Sequence, residues 1–308
     1  MTAPVPSTSE GSAGARNRTA IVAVVVALVV GAGLALAGSF RGAQVGGIPV
    51  FAIAVAAAFV IQFVVFVPSA LRRTERFFDL TGSLTFITVS IALAVLAPAQ
   101  DARGWILAAM VIVWAARLGS FLFARVHRSG TDGRFDEIKT DPLRFFQVWC
   151  IQGLWVALTA SAAWIAMSAD ATDRAPLDPF AVAGVVVWLA GMVFEVVADL
   201  QKQAFRADPA NRGEFIRTGL WSRSRHPNYF GEILVWIGVF LVTVPVLQGW
   251  QWVAVLSPLF VILLLTRVSG IPLLEKRADE RWGDRADYRA YRDRTPVLIP
   301  ALSDRTPS

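Results

Sequence analysis

The residues able to do chemistry concentrate between positions 195 and 232. Glu195, Asp199, Lys202 and Arg206 follow one another at spacings of 4, 3 and 4, which sets all four on one face of a helix. Two acids come first and two bases after, at the end of an apolar block. The stripe reads as a ligand contact or as an interfacial ion pair between Asp199 and Lys202. The segment Gly219-Leu220-Trp221-Ser222-Arg223-Ser224-Arg225-His226-Pro227-Asn228-Tyr229-Phe230-Gly231-Glu232 follows. Pro227 suits the first turn of a helix, where its missing N–H costs nothing. With Ser224 or His226 as cap, the free N–H groups of that turn, beside Arg223, Arg225 and His226, make an anion site suited to phosphate. Asn228 and Glu232 stand one turn apart, and Tyr229 adds an aromatic face with a hydroxyl. The plainer reading is a helix start dressed with interfacial anchors.

Two ionisable residues stand apart from this run. Asp79, in Arg76…Asp79-Leu80-Thr81-Gly82-Ser83, is a carboxylate where an apolar block begins. It pairs with Arg76 or serves a site. Arg117 lies inside an apolar block, where a charge is costly and faces a cavity or a partner. It either snorkels to the membrane edge or pairs with Asp79, Asp199 or Glu232.

The elements that must carry these residues are membrane helices. The chain has 308 residues, 55% hydrophobic and 17% charged, too few charges for a soluble domain of this length. The apolar residues fall in eight blocks, roughly 20–38, 48–70, 83–98, 104–124, 145–167, 180–198, 230–247 and 251–266. Each approaches the length that crosses the hydrocarbon layer as a helix, and lipid requires each to satisfy its own backbone. The expected fold is an all-α, polytopic transmembrane bundle of about eight spans. The first block is read as an uncleaved helix, because its apolar run is long for a signal peptide.

Basic residues set the orientation. The N-terminal tail, the second, fourth and sixth connections and the C-terminal tail hold 2, 3, 5, 6 and 9 of them, and the first, third and fifth one each: Arg41, Arg103 and Arg174. Both termini are therefore expected in the cytoplasm, with the longer, polar connections on that side. The net charge of +6 follows from this topology, and no nucleic-acid partner is expected. Residues 1–18 read as a disordered tail, 19–300 as one transmembrane domain and 301–308 as a flexible tail.

Cys150 is alone, which leaves no disulfide and no cysteine metal site. His127 and His226 cannot form a multi-histidine site, and no metal is expected. No Gly-x-Gly-x-x-Gly follows a strand and no phosphate loop occurs, so a nucleotide would bind between helices and inner loops.

The Ser224-Arg225-His226-Pro227-Asn228-Tyr229-Phe230-Gly231-Glu232 segment, the preceding Ala198-Asp199-Leu200-Gln201-Lys202, and the later Tyr288…Tyr291…Thr295-Pro296…Ile299-Pro300 resemble the steroid 5-alpha-reductase-like membrane reductases. The similarity is closest to their bacterial branch of uncharacterised function (DUF1295-like) and covers roughly residues 75–300. It implies a seven-helix reductase core with one added N-terminal helix, in a bacterial-type inner membrane. It implies NADPH bound from the cytoplasm, and reduction of a carbon–carbon double bond conjugated to a ketone. The substrate would be lipophilic, steroid- or isoprenoid-like, and reach the site from the membrane lipid. Asp199, Arg206, Asn228 and Glu232 align with cofactor contacts; Arg225, His226 and Tyr229 share the motif; Tyr288 and Tyr291, with Arg294, border the adenosine end. With the stripe and the basic loop residues, the cofactor candidates are Glu195, Asp199, Lys202, Arg206, Arg223, Arg225, His226, Asn228, Tyr229, Glu232, Tyr288 and Tyr291. The catalytic candidates are Asp79, which stands by span order where the steroid reductases carry a ketone-holding glutamate, and Arg117. Those enzymes place a catalytic tyrosine near Trp114; this chain has none there. The connection 130–139 resembles an Asp-x-Arg-Tyr loop of the bacterial branch, and either caps the cofactor or links two helices.

Isoprenylcysteine carboxyl methyltransferases carry a similar Arg-His-Pro-x-Tyr-x-Gly core and Glu…Tyr…Tyr…Pro tail, which hold S-adenosylmethionine. That is the alternative function. A transporter would show broken helices and inverted repeats, and the sequence has neither.

Overall fold

The computed structural model describes residues 8–98, 100–129, 135–136 and 138–301, with the side chains of all but 8–13 and 121–129. Eight helical stretches are long and apolar enough to cross a membrane: Gly14–Gly38, Val50–Leu71, Phe78–Leu96, Ala102–Ser120, Pro142–Met167, Pro179–Ala207, Pro227–Val246 and Gly249–Trp282. The architecture is an all-α polytopic bundle. The chain forms two compact units: residues up to 176 with 246–254, and residues 177–245 with those from 255.

The first unit contains α1 (Thr8–Gly38), α2 (Val50–Leu71), α3 (Phe78–Leu96), α4 (Ala102–Ser129) and α5 (Pro142–Met167). Helix α1 reaches back to Thr8, into the tail expected to be disordered. Good helix formers such as Ala13, Ala15 and Arg16 let the helix propagate outward from its apolar nucleus. A short hairpin, β1 (Gln44–Val45) and β2 (Ile48–Pro49), joins α1 to α2. Its turn is Gly46-Gly47, both at positive φ, which glycine adopts without strain. Helix α5 is central and packs on α1, α2, α3 and α4. Asp141 caps it by accepting from the N–H groups of Leu143 and Arg144, and Pro142 opens it. Every residue from Val156 to Met167 is buried; the Ala, Ser and Thr among them let neighbouring helices approach closely. Helix α1, by contrast, turns Ile21, Val22, Val25, Val26 and Val29 outward, as a helix facing hydrocarbon does.

The connections after α1, α3 and α5 meet at one end of this unit. Ala43 N–H donates to the Ser168 carbonyl at 2.8 Å, and Gln100 Nε2 donates to that of Met167 at 2.9 Å. Arg41 pairs with Asp173 at 3.1 Å. Arg103, 2% exposed, donates to the Pro176 carbonyl at 2.7 Å. Arg174 pairs with Asp101 at 3.2 Å and donates to the carbonyls of Pro98, Met167 and Ala169. The single arginines of these three connections are thus all taken up by partners. Elsewhere in the unit, Lys139 bridges the buried Glu75 and Asp136 beside Phe78, Phe135, Phe145 and Trp149. Much of the 130–139 connection lies outside the described residues, so its expected capping or linking role does too.

The second unit contains α6 (Pro179–Ala207), α7 (Pro227–Thr243), α8 (Leu256–Leu263), α9 (Ile271–Trp282) and α10 (Ala286–Arg294). Asp178 caps α6 by accepting from Ala181 N–H. Helix α6 runs to Ala207, so Lys202 and Arg206 are helical and the charged stripe is continuous. Gly184 and Gly191 of α6 meet Gly238 and Gly231 of α7, and the small residues draw the two backbones together. A π turn, Leu264–Val268, follows α8 and leads through Gly270 into α9, turning the chain from an apolar rod to an amphipathic one.

Candidate functional site

A cavity of about 460 Å³ opens in the second unit. The end of α6 supplies Lys202, Phe205 and Arg206; the loop before α7 supplies residues 211–216, Trp221, Arg225 and His226; α9 supplies Glu275, Arg277, Arg281 and Trp282; α10 supplies Tyr288 and Tyr291. On α9, Glu275, Ala278 and Trp282 recur at spacings of 3 and 4, the period that keeps one face turned to the cavity.

Aromatic rings form its floor. Phe215 meets Tyr288 edge-on at 5.2 Å, Tyr291 at 5.4 Å and Trp282 at 5.9 Å. Hydrogen bonds fix their polar ends. Tyr291 Oη donates to the Trp221 carbonyl at 2.7 Å, Trp221 Nε1 to that of Ala198 at 3.0 Å, and Trp282 Nε1 to that of Gly213 at 2.7 Å. Burial pushes the Tyr288 hydroxyl up to about 12 and raises that of Tyr291 as well, so both act as neutral hydrogen-bonding groups at physiological pH. Outside the floor, Arg285 grips Glu214 and Asp287. Its hydrogen bonds hold both carboxyls below their usual range.

The cavity's charge is mostly positive, and half of its basic residues are uncommitted. Lys202, Arg206, Arg212, Arg225, Arg277 and Arg281 line it against two acids, Glu214 and Glu275. Both acids are occupied: Glu214 by Arg285, and Glu275 by Arg225 at 3.1 Å and His226 at 2.8 Å. Lys202 lies over the Trp221 ring at 4.5 Å. Among the described residues, Arg206, Arg212 and Arg277 have no ion pair or hydrogen bond to a protein side chain. Such an arrangement suits a polyanion with a flat ring to lay on the aromatic floor.

Of the twelve residues picked from sequence as cofactor contacts, Lys202, Arg206, Arg225, His226, Tyr288 and Tyr291 line the cavity. The other six do not. Glu195 is buried where α6 crosses α7. Asp199 and Glu232 are half-buried, both within electrostatic reach of the Tyr229 hydroxyl. Asn228 is half-buried in the first turn of α7, and Arg223 is exposed. The charged stripe therefore divides, its acids lying toward α7 and its bases toward the cavity. The His226 and Tyr229 rings, stacked 5.7 Å apart, join the two groups. Asp79 and Arg117 belong to the first unit and are half-buried in α3 and α4. Trp114, near the expected place of the reductases' tyrosine, is buried edge-on to Phe86 at 5.3 Å.

The expected cap differs. Helix α7 begins at Pro227 as expected, but neither Ser224 nor His226 caps it with a side chain. Both side chains are engaged elsewhere: Ser224 Oγ donates to the Leu298 carbonyl at 2.8 Å and accepts from His226 N–H, and His226 turns to Glu275. The C-terminal run straps the motif in place, with Arg225 N–H donating to Pro296 and Ala301 N–H to Arg223, each at 2.9 Å.

Sequence reasoning missed Glu275, Arg212, Arg277, Phe215 and Trp282. A signal for Glu275 was present in the Glu…Tyr…Tyr…Pro tail, whose acid was not assigned to a position.

A family model described as a protein of unknown function (DUF1295) matches residues 65–295. A curated relative, the probable O-methyltransferase ustE of Ustilaginoidea virens, is 34% identical over 68 residues. That stretch is 22% of this chain and 24% of the relative, so the match spans about a quarter of that protein's length. No solved structure matches.

Proposed function

This chain belongs to the DUF1295 family, and we propose that it is a membrane-embedded NADPH-dependent oxidoreductase. It reduces a carbon–carbon double bond conjugated to a ketone in a lipophilic substrate. The observation that carries this reading is the set of uncommitted arginines, Arg206, Arg212 and Arg277, around an aromatic-floored cavity. Phosphates are the groups such a set recognises. When bound, NADPH supplies the hydride. Arg206, Arg212 and Arg277 hold its phosphates, and the floor of Phe215 and Trp282 takes a ring. Glu275 fixes Arg225 and His226. On the resemblance alone, Asp79 and Arg117 are the residues proposed to orient the ketone and to support protonation of the product. The cavity faces the cytoplasm of a bacterial-type plasma membrane, with both termini on that side, as the basic residues of its connections suggest.

A second reading is a membrane methyltransferase using S-adenosylmethionine. The match to the probable O-methyltransferase favours it. Its cofactor has one carboxylate and no phosphate, and so engages fewer of the three arginines.

Calorimetry on the purified, detergent-solubilised chain with NADPH, NADH and S-adenosylmethionine tests the proposal. Binding of NADPH is expected. Binding of S-adenosylmethionine alone transfers the chain to the second reading, and binding of none ends both.

A further inference from the structure

We infer that the loop joining α2 to α3 binds an anionic phospholipid, with Arg72, Arg73 and Arg76 on its headgroup phosphate and Leu71 and Phe77 in the acyl layer. The inference is independent of the cofactor reading. The two ends of the first unit treat their arginines differently. Where the connections after α1, α3 and α5 meet, Arg41, Arg103 and Arg174 all have protein partners. Helix α2 starts at that end and α3 finishes there, so the loop between Leu71 and Phe78 lies at the other. It joins two spanning stretches and so sits at the membrane surface. Arg72, Arg73 and Arg76 are exposed, and their side chains make no ion pair or hydrogen bond with a described residue. The loop's one acid, Glu75, is 5% exposed and already paired with Lys139 at 3.2 Å.

The backbone carries a second sign of a missing anion. Arg73 stands at φ 49°, and the other described non-glycine residue at positive φ is Arg41, at 51°. Side chains adopt this left-handed conformation only when something nearby repays its strain. The guanidinium of Arg41 meets Asp173; that of Arg73 has no such anion in the protein. The loop is nevertheless held in shape, with Thr74 N–H donating to the Ser69 carbonyl and Phe78 N–H to that of Glu75, each at 2.9 Å. Leu71, 81% exposed, and Phe77, 46% exposed, flank the arginines. Apolar side chains beside cations suit a bilayer rather than a soluble anion, since one kind enters the acyl layer while the other meets phosphate. A zwitterionic headgroup brings an ammonium that the arginines repel, and an anionic one does not.

The test is calorimetry on the full chain in a non-ionic detergent at low salt. The probes are dioctanoyl phosphatidylglycerol, dioctanoyl phosphatidylcholine and inorganic phosphate. Phosphatidylglycerol is expected to bind at least about tenfold tighter than either of the others. Arg73→Gln with Arg76→Gln should weaken it about 25-fold, which is about fivefold for each arginine. Arg16→Gln with Arg18→Gln takes equal charge from the start of α1, at the same end of the unit, and should weaken it less than about threefold. All four side chains are exposed, and the comparison of the three probes on the wild type needs no variant to fold. Equal affinity for the two lipids overturns the inference. Phosphate that binds as tightly as phosphatidylglycerol makes the loop a soluble-anion site and overturns it too. So does an equal loss in the two double variants, which makes the attraction diffuse, and so does binding of no probe at all.

Discussion

Gly191 of α6 and Gly231 of α7 face one another so closely that a Cβ on either would stand 2.7 Å from the other's carbonyl oxygen. The added atom at Gly231 would also meet the Glu195 backbone nitrogen at 2.6 Å. Backbone atoms on two packed helices cannot yield as a flexible side chain can. Gly231→Ala is therefore expected to destabilise the protein by about 2 kcal/mol or more. Gly33→Ala in α1, where nothing lies within 4 Å, should be neutral or stabilise by less than about 1 kcal/mol. Thermal unfolding in detergent reads the difference, and equal midpoints would contradict the close crossing.

Arg174 gathers three carbonyls and one carboxylate at one end of the first unit. Arg174→Ala removes the donor to Pro98 and Ala169 and leaves Met167 only Gln100 and the Asp101 carboxylate only the Gly104 N–H, and should cost about 2–4 kcal/mol. Lysine cannot reproduce the planar fork, so Arg174→Lys should recover less than half of the loss. Denaturant unfolding of the three proteins checks this; full recovery by lysine would mean that charge alone matters.

Under the cofactor reading, Arg206→Ala, Arg212→Ala and Arg277→Ala should each weaken NADPH binding about three- to tenfold, more at low salt than at high. S-adenosylmethionine, with one carboxylate and no phosphate, should respond to at most one of the three. NADPH affinity that ignores the substitutions would locate the phosphates elsewhere.

The Arg285 clamp has an acid limit. Glu214 and Asp287 are held below their ordinary values of 4.5 and 3.8. A depressed carboxyl contributes stability above its unfolded value and loses it as pH falls through the folded one. The loop before α7 should stay docked from pH 8 to 5 and release below about pH 4. Trp282, which donates to Gly213 beside Glu214, reports the release as the fluorescence difference between wild type and Trp282→Phe. Glu214→Gln should show part of that change already at pH 7. A transition centred between pH 6 and 7 would assign the loop to another group.

The Glu195, Asp199, Lys202, Arg206 stripe shows where reading the chain stops. The 4, 3, 4 spacing placed the four on one helical face, and α6 does run through all of them. That face nevertheless spans two environments, because α7 crosses over Glu195 while the loop and α9 enclose Lys202 and Arg206. Glu275 was harder still: 49 residues separate it from His226, and the Glu…Tyr…Tyr…Pro tail does not say which of its acids reaches that ring.

The apolar blocks determined the helical membrane bundle and its number of spans, because hydrocarbon thickness and backbone hydrogen bonding leave a long apolar segment a single solution. Helix α6, by contrast, runs nine residues beyond its apolar block, to Ala207. That Pro227 opens a helix also follows from sequence, as a matter of one residue's missing N–H. Tertiary packing decided which charges meet. Periodicity gives an angle around one rod, whereas the partner across the gap depends on how near glycines let the rods approach and where the turn at Gly270 sends α9. From those two distances came the cavity, the Glu275–His226 contact and the arginines left open to a ligand.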